Sequence, residues 1–283
     1  MDVAAHPGMG SAERLLVERI LDIVRRRTGT DFSVYRLATV RRRIGNRMIH
    51  VGMPTLADYL EYLEASADEA GALLSRLTIK VSRFYRNALT FDRIRGEVMP
   101  QLARSGNRVT MWSAGCGRGE EPYTLAMLLL DAGLAGHVDA TDIDAAALEE
   151  AANGTYGEEA FEELPPDMRA RHVERTSRHD RPRYRVCDAV RERVRFLRHD
   201  VVSMDPPGER PYDLVAFRNV AIYLSREAQQ SVFDRMVSAL RPGGYLCLGE
   251  AEWPATGAAE RLECFARKSK LFRATCEITR SSS

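Results

Sequence analysis

The residues with most chemical content stand in three short stretches, at 111–123, 140–144 and 199–201. In the first, the apolar run Met111-Trp112-Ser113-Ala114 leads into Gly115-Cys116-Gly117-Arg118-Gly119 and then Glu120-Glu121-Pro122-Tyr123. Glycines at 115, 117 and 119 remove side chains where a chain must turn tightly and let its backbone approach a ligand. Alternating glycines also make ordinary turns. Here they follow a strand-like run and open a helix-like one, which points to a nucleotide-type site. A dinucleotide would leave its pyrophosphate at the helix N-terminus, where Glu120 and Glu121 would repel it. An adenosine without phosphates suits this acidic start better.

S-adenosylmethionine meets that requirement, because its sulfonium and ammonium groups are favoured near acids. In the second stretch, Ala140-Thr141-Asp142-Ile143-Asp144, Asp142 is expected to accept from both ribose hydroxyls. Asp144 is expected to cap the helix that follows. In the third, Asp200 has two readings of equal weight. It is an acceptor for the adenine amine, with Val201 against the ring, or a loop acid.

These residues need elements to hold them. From about Ala12 to Leu102 apolar residues recur at helical spacing: Leu15, Leu16, Ile20, Ile23 and Val24; Leu37, Val40, Ile44 and Met48; Leu56, Tyr59, Leu60 and Leu63; Leu73, Leu74, Leu77 and Ile79. A small helical domain over 11–95 is expected from them. From Arg108 short apolar runs alternate with helical patterns. Strands are predicted at 109–112, 137–141, 194–197, 212–217, 244–249 and 270–274, and helices at 123–130, 145–152 and 226–240. Such alternation implies α/β architecture, a Rossmann-like and mostly parallel sheet covered on both faces, over 96–283. About forty residues near 156–192 exceed a plain crossover and read as an insertion on the sheet, with a short strand at Tyr184-Arg185-Val186.

Composition narrows the class. With 41 basic and 40 acidic residues the chain carries a net charge of +1, which argues against a general nucleic-acid coat or a polybasic membrane binder. Its five cysteines are scattered and lack Cys-x-x-Cys spacing, so reduced thiols in a cytoplasmic protein are expected, with no disulfide frame and no metal. No signal peptide or membrane span is read, and both ends are expected to fray. A monomer is expected.

Taken in order, Leu77-Thr78-Ile79-Lys80-Val81-Ser82-Arg83-Phe84-Tyr85-Arg86, Trp112-Ser113-Ala114-Gly115-Cys116, Gly119-Glu120-Glu121-Pro122-Tyr123, Ala140-Thr141-Asp142-Ile143-Asp144, Phe217-Arg218-Asn219-Val220-Ala221-Ile222-Tyr223 and Leu240-Arg241-Pro242-Gly243-Gly244-Tyr245-Leu246 resemble the chemotaxis receptor glutamate O-methyltransferases, the CheR family. The resemblance implies a helical N-terminal domain, a Rossmann-like catalytic domain and a small β-subdomain in the insertion. It implies that Ser82, Arg86, Glu121, Asp142, Asp200, Val201, Asn219 and Val220 line the S-adenosylmethionine site beside Gly115 and Gly117. The chain departs from the family pattern in places. Ser82-Arg83-Phe84-Tyr85-Arg86 stands for Thr-x-Phe-Phe-Arg, Asp200-Val201 for Asn-Leu, and Glu250-Ala251-Glu252 for His-Ser-Glu.

The implied reaction is methyl ester formation on glutamate side chains of a chemoreceptor or related signalling protein. A glutamate, with an ordinary pKa of about 4.3, is already a nucleophile at neutral pH, so no general base is required. Arg86 is expected to hold a carboxylate in bidentate fashion and Tyr223 to steer the substrate oxygen. Arg36, Arg43 and Arg47 fall on one stripe of a helix that Arg41 and Arg42 widen, expected either as a dock for an acidic helical receptor or as a solvated face. Two rival classes remain: a methyltransferase of this fold acting on a small molecule or nucleic acid, and a non-catalytic cofactor-binding scaffold.

Overall fold

The computed structural model describes residues 10–78, 82–176, 182–208 and 211–275. Ile79, counted above in an apolar stripe, lies outside them, as do Lys80, Val81, Cys276 and the terminal segments. The chain divides into two compact units.

The helical unit runs to residue 79 and takes in Tyr223–Ser225 from far along the chain. Its helices are α1 (Ser11–Thr28), α2 (Leu37–Val51), α3 (Leu56–Ala65) and α4 (Glu69–Leu77). The predicted apolar stripes are mostly their buried faces: Ile20, Ile23 and Val24 on α1, where Val17 is also buried but Leu15 of the predicted stripe is exposed, Val40, Ile44 and Met48 on α2, Tyr59 and Leu63 on α3, Leu73 and Leu77 on α4. α3 starts on a capping box, with Thr55 Oγ1 accepting from the Asp58 N–H and Asp58 accepting from the Thr55 N–H. The segment 223–225 pairs by backbone with 34–36: Arg36 N–H donates to Tyr223 O at 2.8 Å and Ser225 N–H to Val34 O at 2.8 Å.

The expected boundary at 95 is corrected to 79/80. α5 (Ala88–Arg93), a π-helical turn (Ile94–Val98) and α6 (Met99–Arg104) are helical as read. Their apolar residues Phe91, Ile94, Val98, Met99 and Leu102, however, pack in the core of the sheet-bearing unit together with Phe84 and Tyr85.

That second unit carries β1 (Val109–Ala114), α7 (Glu120–Asp131), β2 (Gly136–Asp142), α8 (Ala145–Asn153), β3 (Thr155–Gly157), α9 (Pro166–His172), β4 (Val173–Arg175), β5 (Arg183–Val186), α10 (Asp188–Arg191), β6 (Val194–Arg198), β7 (Tyr212–Phe217), α11 (Arg226–Ala239), β8 (Leu240–Leu248), α12 (Thr256–Ala259), β9 (Leu262–Ala266) and β10 (Leu271–Ala274). The main sheet has the order β6-β2-β1-β7-β8-β10-β9. The first five strands are parallel, and β10 is antiparallel to both β8 and β9. β7 is buried along its whole length, as a central parallel strand requires. The insertion forms its own antiparallel sheet, β3-β5-β4. β8 begins earlier than predicted, at Leu240, and absorbs the expected turn as an irregularity around Gly243 at φ +75°. Among the described residues no helix is long and apolar enough to cross a membrane.

Candidate functional site

β1 ends in the glycine turn. The Gly115 and Cys116 N–H groups donate to Thr141 O at 2.7 and 2.9 Å, so the turn is tied to the end of β2. Gly115 has φ +77°, and a Cβ there would stand 2.5 Å from Val220 Cγ2. Only glycine meets both conditions. The Gly117 N–H donates to Asp142 Oδ2 at 2.8 Å, and the Asp144 N–H to Asp142 Oδ1 at 3.0 Å. Asp142 is half-buried, and burial pushes its carboxyl above the ordinary range, against the backbone N–H groups that pull it down. Asp144 caps α8 through the Ala146 and Ala147 N–H groups, as expected.

Glu120 and Glu121 differ sharply in surroundings. Glu121 Oε1 accepts from Ser113 Oγ at 2.7 Å, and its Oε2 lies 3.2 Å from Arg218 Nη1. Glu120 is fully buried, its oxygens have no hydrogen-bond partner among the described residues, and the Arg118 guanidinium stands 3.7 Å away. Burial raises its carboxyl above the ordinary range.

Arg218, itself buried, reaches the segment that carries Ser82 and Arg86. Its Nη2 donates to Arg86 O at 2.8 Å and to Asn87 Oδ1 at 2.6 Å. That segment is further held by Phe84 N–H to Ala160 O at 2.9 Å and Tyr85 N–H to Thr124 Oγ1 at 3.1 Å. Tyr85 and Asn87 both have positive φ, the kind of local strain that surrounding contacts must over-determine. Glu121, Arg86, Gly115, Gly117, Asp142 and Val220 thus belong to one connected framework around the end of β1.

Asn219 follows β7 at φ +61°. Its N–H and that of Val220 donate to the buried Glu252 at 2.8 and 2.9 Å. Asp200 accepts from the Val202 N–H at 2.9 Å and Ser203 Oγ at 2.8 Å, which makes it the cap of the turn after β6. Val201 beside it is buried. Ser113, Arg218 and Glu252 were not singled out above as site residues. The first two sit inside strings already conspicuous, while Glu252 stood out only as part of a departure.

Three expectations change. Tyr223 lies in the helical unit, with the Arg43 guanidinium 4.7 Å from its ring centroid, because the backbone pairing of 223–225 with 34–36 fixes it there. Arg43 is therefore buried instead of facing solvent. Arg47 donates through Nε and Nη2 to Glu69 at 2.8 and 2.6 Å, and Tyr59 Oη donates to the same carboxylate at 2.7 Å. Burial alone would push the Glu69 carboxyl up. The Arg47 and Tyr59 bonds outweigh it and hold the group below the ordinary range. Of the predicted docking arginines only Arg36 is exposed, joined by Arg42.

A mostly parallel sheet with a glycine turn after its first strand and an acid closing the next is a Rossmann-like nucleotide-binding arrangement. Residues 80–268 match the model for the CheR methyltransferase SAM-binding domain and residues 16–78 the CheR all-alpha domain. The chain belongs to the CheR methyltransferase family, and its cofactor is S-adenosylmethionine. It is similar to the chemotaxis protein methyltransferases of Listeria monocytogenes, 32% identical over 81% of this chain and 87% of that protein, and of Klebsiella aerogenes, 31% identical over 83% and 81%. It is also similar to the probable biofilm formation methyltransferase WspC of Pseudomonas aeruginosa, 32% identical over 83% of this chain but 56% of that protein. Among solved structures it is similar to SAM-bound CalS10, an amino pentose methyltransferase, at 19% identity, 58% coverage of this chain, 51% of that one and TM-score 0.34.

Proposed function

We propose that this enzyme esterifies glutamate side chains on the cytoplasmic helical domain of a chemoreceptor or a related signalling protein. Relatives named as chemotaxis methyltransferases, similar across both domains, support the substrate class. One observation carries the site reading: Arg218 ties Glu121, beside the glycine turn, to the segment bearing Arg86.

S-adenosylmethionine supplies the methyl group on a sulfonium. The protein's task is to hold and dry the reactants, since a glutamate carboxylate needs no base to become a nucleophile. A carboxylate offers about four lone-pair positions. The Gly117 and Asp144 N–H groups engage Asp142 from the protein side, and its remaining acceptor capacity suits the ribose hydroxyls. Glu121 likewise keeps acceptor capacity for an ammonium group, and Gly115 with Gly117 lets the backbone come close. Ser82, Asn219, Val220, Asp200 and Val201 complete the cofactor side. Arg86 holds a carboxylate through its planar fork. In-line alignment at about 3–3.5 Å can supply several kcal/mol of the barrier.

The test is incubation with methyl-labelled cofactor and a receptor cytoplasmic fragment. Label released by mild base identifies a methyl ester, and base-stable label would overturn the glutamate reading. Arg86→Lys keeps the charge and loses the fork, so reduced transfer with a normal melting temperature is expected. Full activity in that variant would show that charge alone matters.

A further inference from the structure

Glu252 touches none of the glycine turn, Asp142 or Glu121, yet its surroundings are unusual for a carboxylate. It is 3% exposed. Oε2 accepts from the Asn219 and Gly249 N–H groups, each at 2.8 Å. Oε1 accepts from the Val220 N–H at 2.9 Å and, more weakly, the Ile222 N–H at 3.4 Å. These N–H groups come from the end of β8 and from the loop after β7. A buried anion with this many backbone donors fixes the donors as firmly as they fix it.

The loop needs such fixing. Asn219 occupies the left-handed region, which a non-glycine residue holds only when neighbours impose it. Val220 must come close enough to Gly115 that even a methyl group there would collide with it. Gly249 leaves the room for this approach: a Cβ on it would stand 2.7 Å from Glu252 Oε2 and 2.9 Å from the Asn219 nitrogen.

We propose that Glu252 is a positioning residue for cofactor binding: its carboxylate gathers the loop after β7, holds Asn219 in its strained conformation and sets Val220 against the glycine turn. The proposal rests on the reading that Asn219 and Val220 line the cofactor site. It gives the last residue of Glu250-Ala251-Glu252 a role that its neighbours, both exposed, do not share.

The experiment is titration calorimetry of S-adenosylhomocysteine binding to the full-length protein carrying Glu252→Gln, Gly249→Ala or Asn219→Ala, with thermal melts alongside. Gln keeps the shape but turns an NH2 group toward two of the backbone donors. Roughly tenfold weaker binding is expected, the effect of losing a charge-assisted bond. A role confined to folding would lower the bound stoichiometry without moving the dissociation constant of the folded fraction. Weakened binding by both Glu252→Gln and Asn219→Ala at full stoichiometry supports the proposal. Wild-type affinity in Glu252→Gln, with Asn219→Ala impaired, overturns it and leaves the site reading intact. Wild-type affinity in Asn219→Ala overturns the site reading and this inference with it. If Glu252→Gln does not fold, Gly249→Ala decides, because it keeps the carboxylate and displaces the clamp: weaker binding supports the proposal and unchanged binding rejects it.

Discussion

A carboxylate's use depends on what already occupies its lone pairs, and Asp142 and Glu120 are opposite cases. Asp142→Ala removes the proposed ribose acceptor and should weaken S-adenosylmethionine binding by about 1–3 kcal/mol, readable by calorimetry. Burial raises the Asp142 carboxyl, so acidification from neutral pH should protonate it above the ordinary carboxylate range and weaken cofactor binding. Asp142→Asn should flatten that dependence, and an identical pH profile in the variant would remove Asp142 from the site. Glu120 is fully buried and its oxygens have no hydrogen-bond partner among the described residues. Its raised carboxyl means that, between the ordinary range and the raised value, the native state keeps a proton the unfolded chain has released. Stability from this group is therefore present at low pH and lost as pH rises through that window. Denaturant unfolding across pH should show a shallower decline in Glu120→Gln, and an unchanged slope would mean that Glu120 does not cause it.

At the scale of elements, α2 shows what a periodic pattern can and cannot say. Val40, Ile44 and Met48 were legible as its buried face because 3.6-residue spacing is local. That Arg43 and Arg47 turn inward was not, since their partners Tyr223 and Glu69 lie on distant segments. Arg47→Ala strands a buried carboxylate between α3 and α4 and should destabilise the helical unit by about 3 kcal/mol, visible as an earlier melt. A melt matching wild type would show that water replaces the guanidinium. The same limit misplaced the domain boundary: α5 and α6 have helical period, and period does not tell which core receives Phe91 or Ile94. β3 and β4, of three residues each, are shorter than any alternation signal, and β9 exposes Glu263 and Cys264. Of the site, the glycine turn and the Asp142 and Asp144 pair were readable because each function is local to its own turn. Arg218 and Glu252 act across about a hundred and about thirty residues of chain respectively, beyond the reach of local spacing arguments.

For the whole molecule, a net charge of +1 leaves no global field to steer an acidic receptor, so any steering is local. Arg36, at the N-cap of α2, and Arg42 within it are exposed, whereas Arg41 is tied to Glu13. Reversing both to Glu should raise the apparent KM for receptor, leave cofactor affinity unchanged and reduce the fall in rate with salt, since exposed charges are screened beyond about 10 Å at 0.1 M. Wild-type KM and salt slope in the double variant would exclude this helix and turn attention to the insertion sheet. A practical consequence follows from the three residues 223–225, which complete the helical unit from the far side of the sequence. The unit is not one uninterrupted stretch of gene. A fragment stopping at residue 78 loses the acceptor for the Arg36 N–H and the ring beneath Arg43. Chimaeras that exchange the helical unit between relatives therefore need two grafts, the helices and this distant tripeptide. With only the first, a mismatched seam would masquerade as a failure of whatever function is being tested.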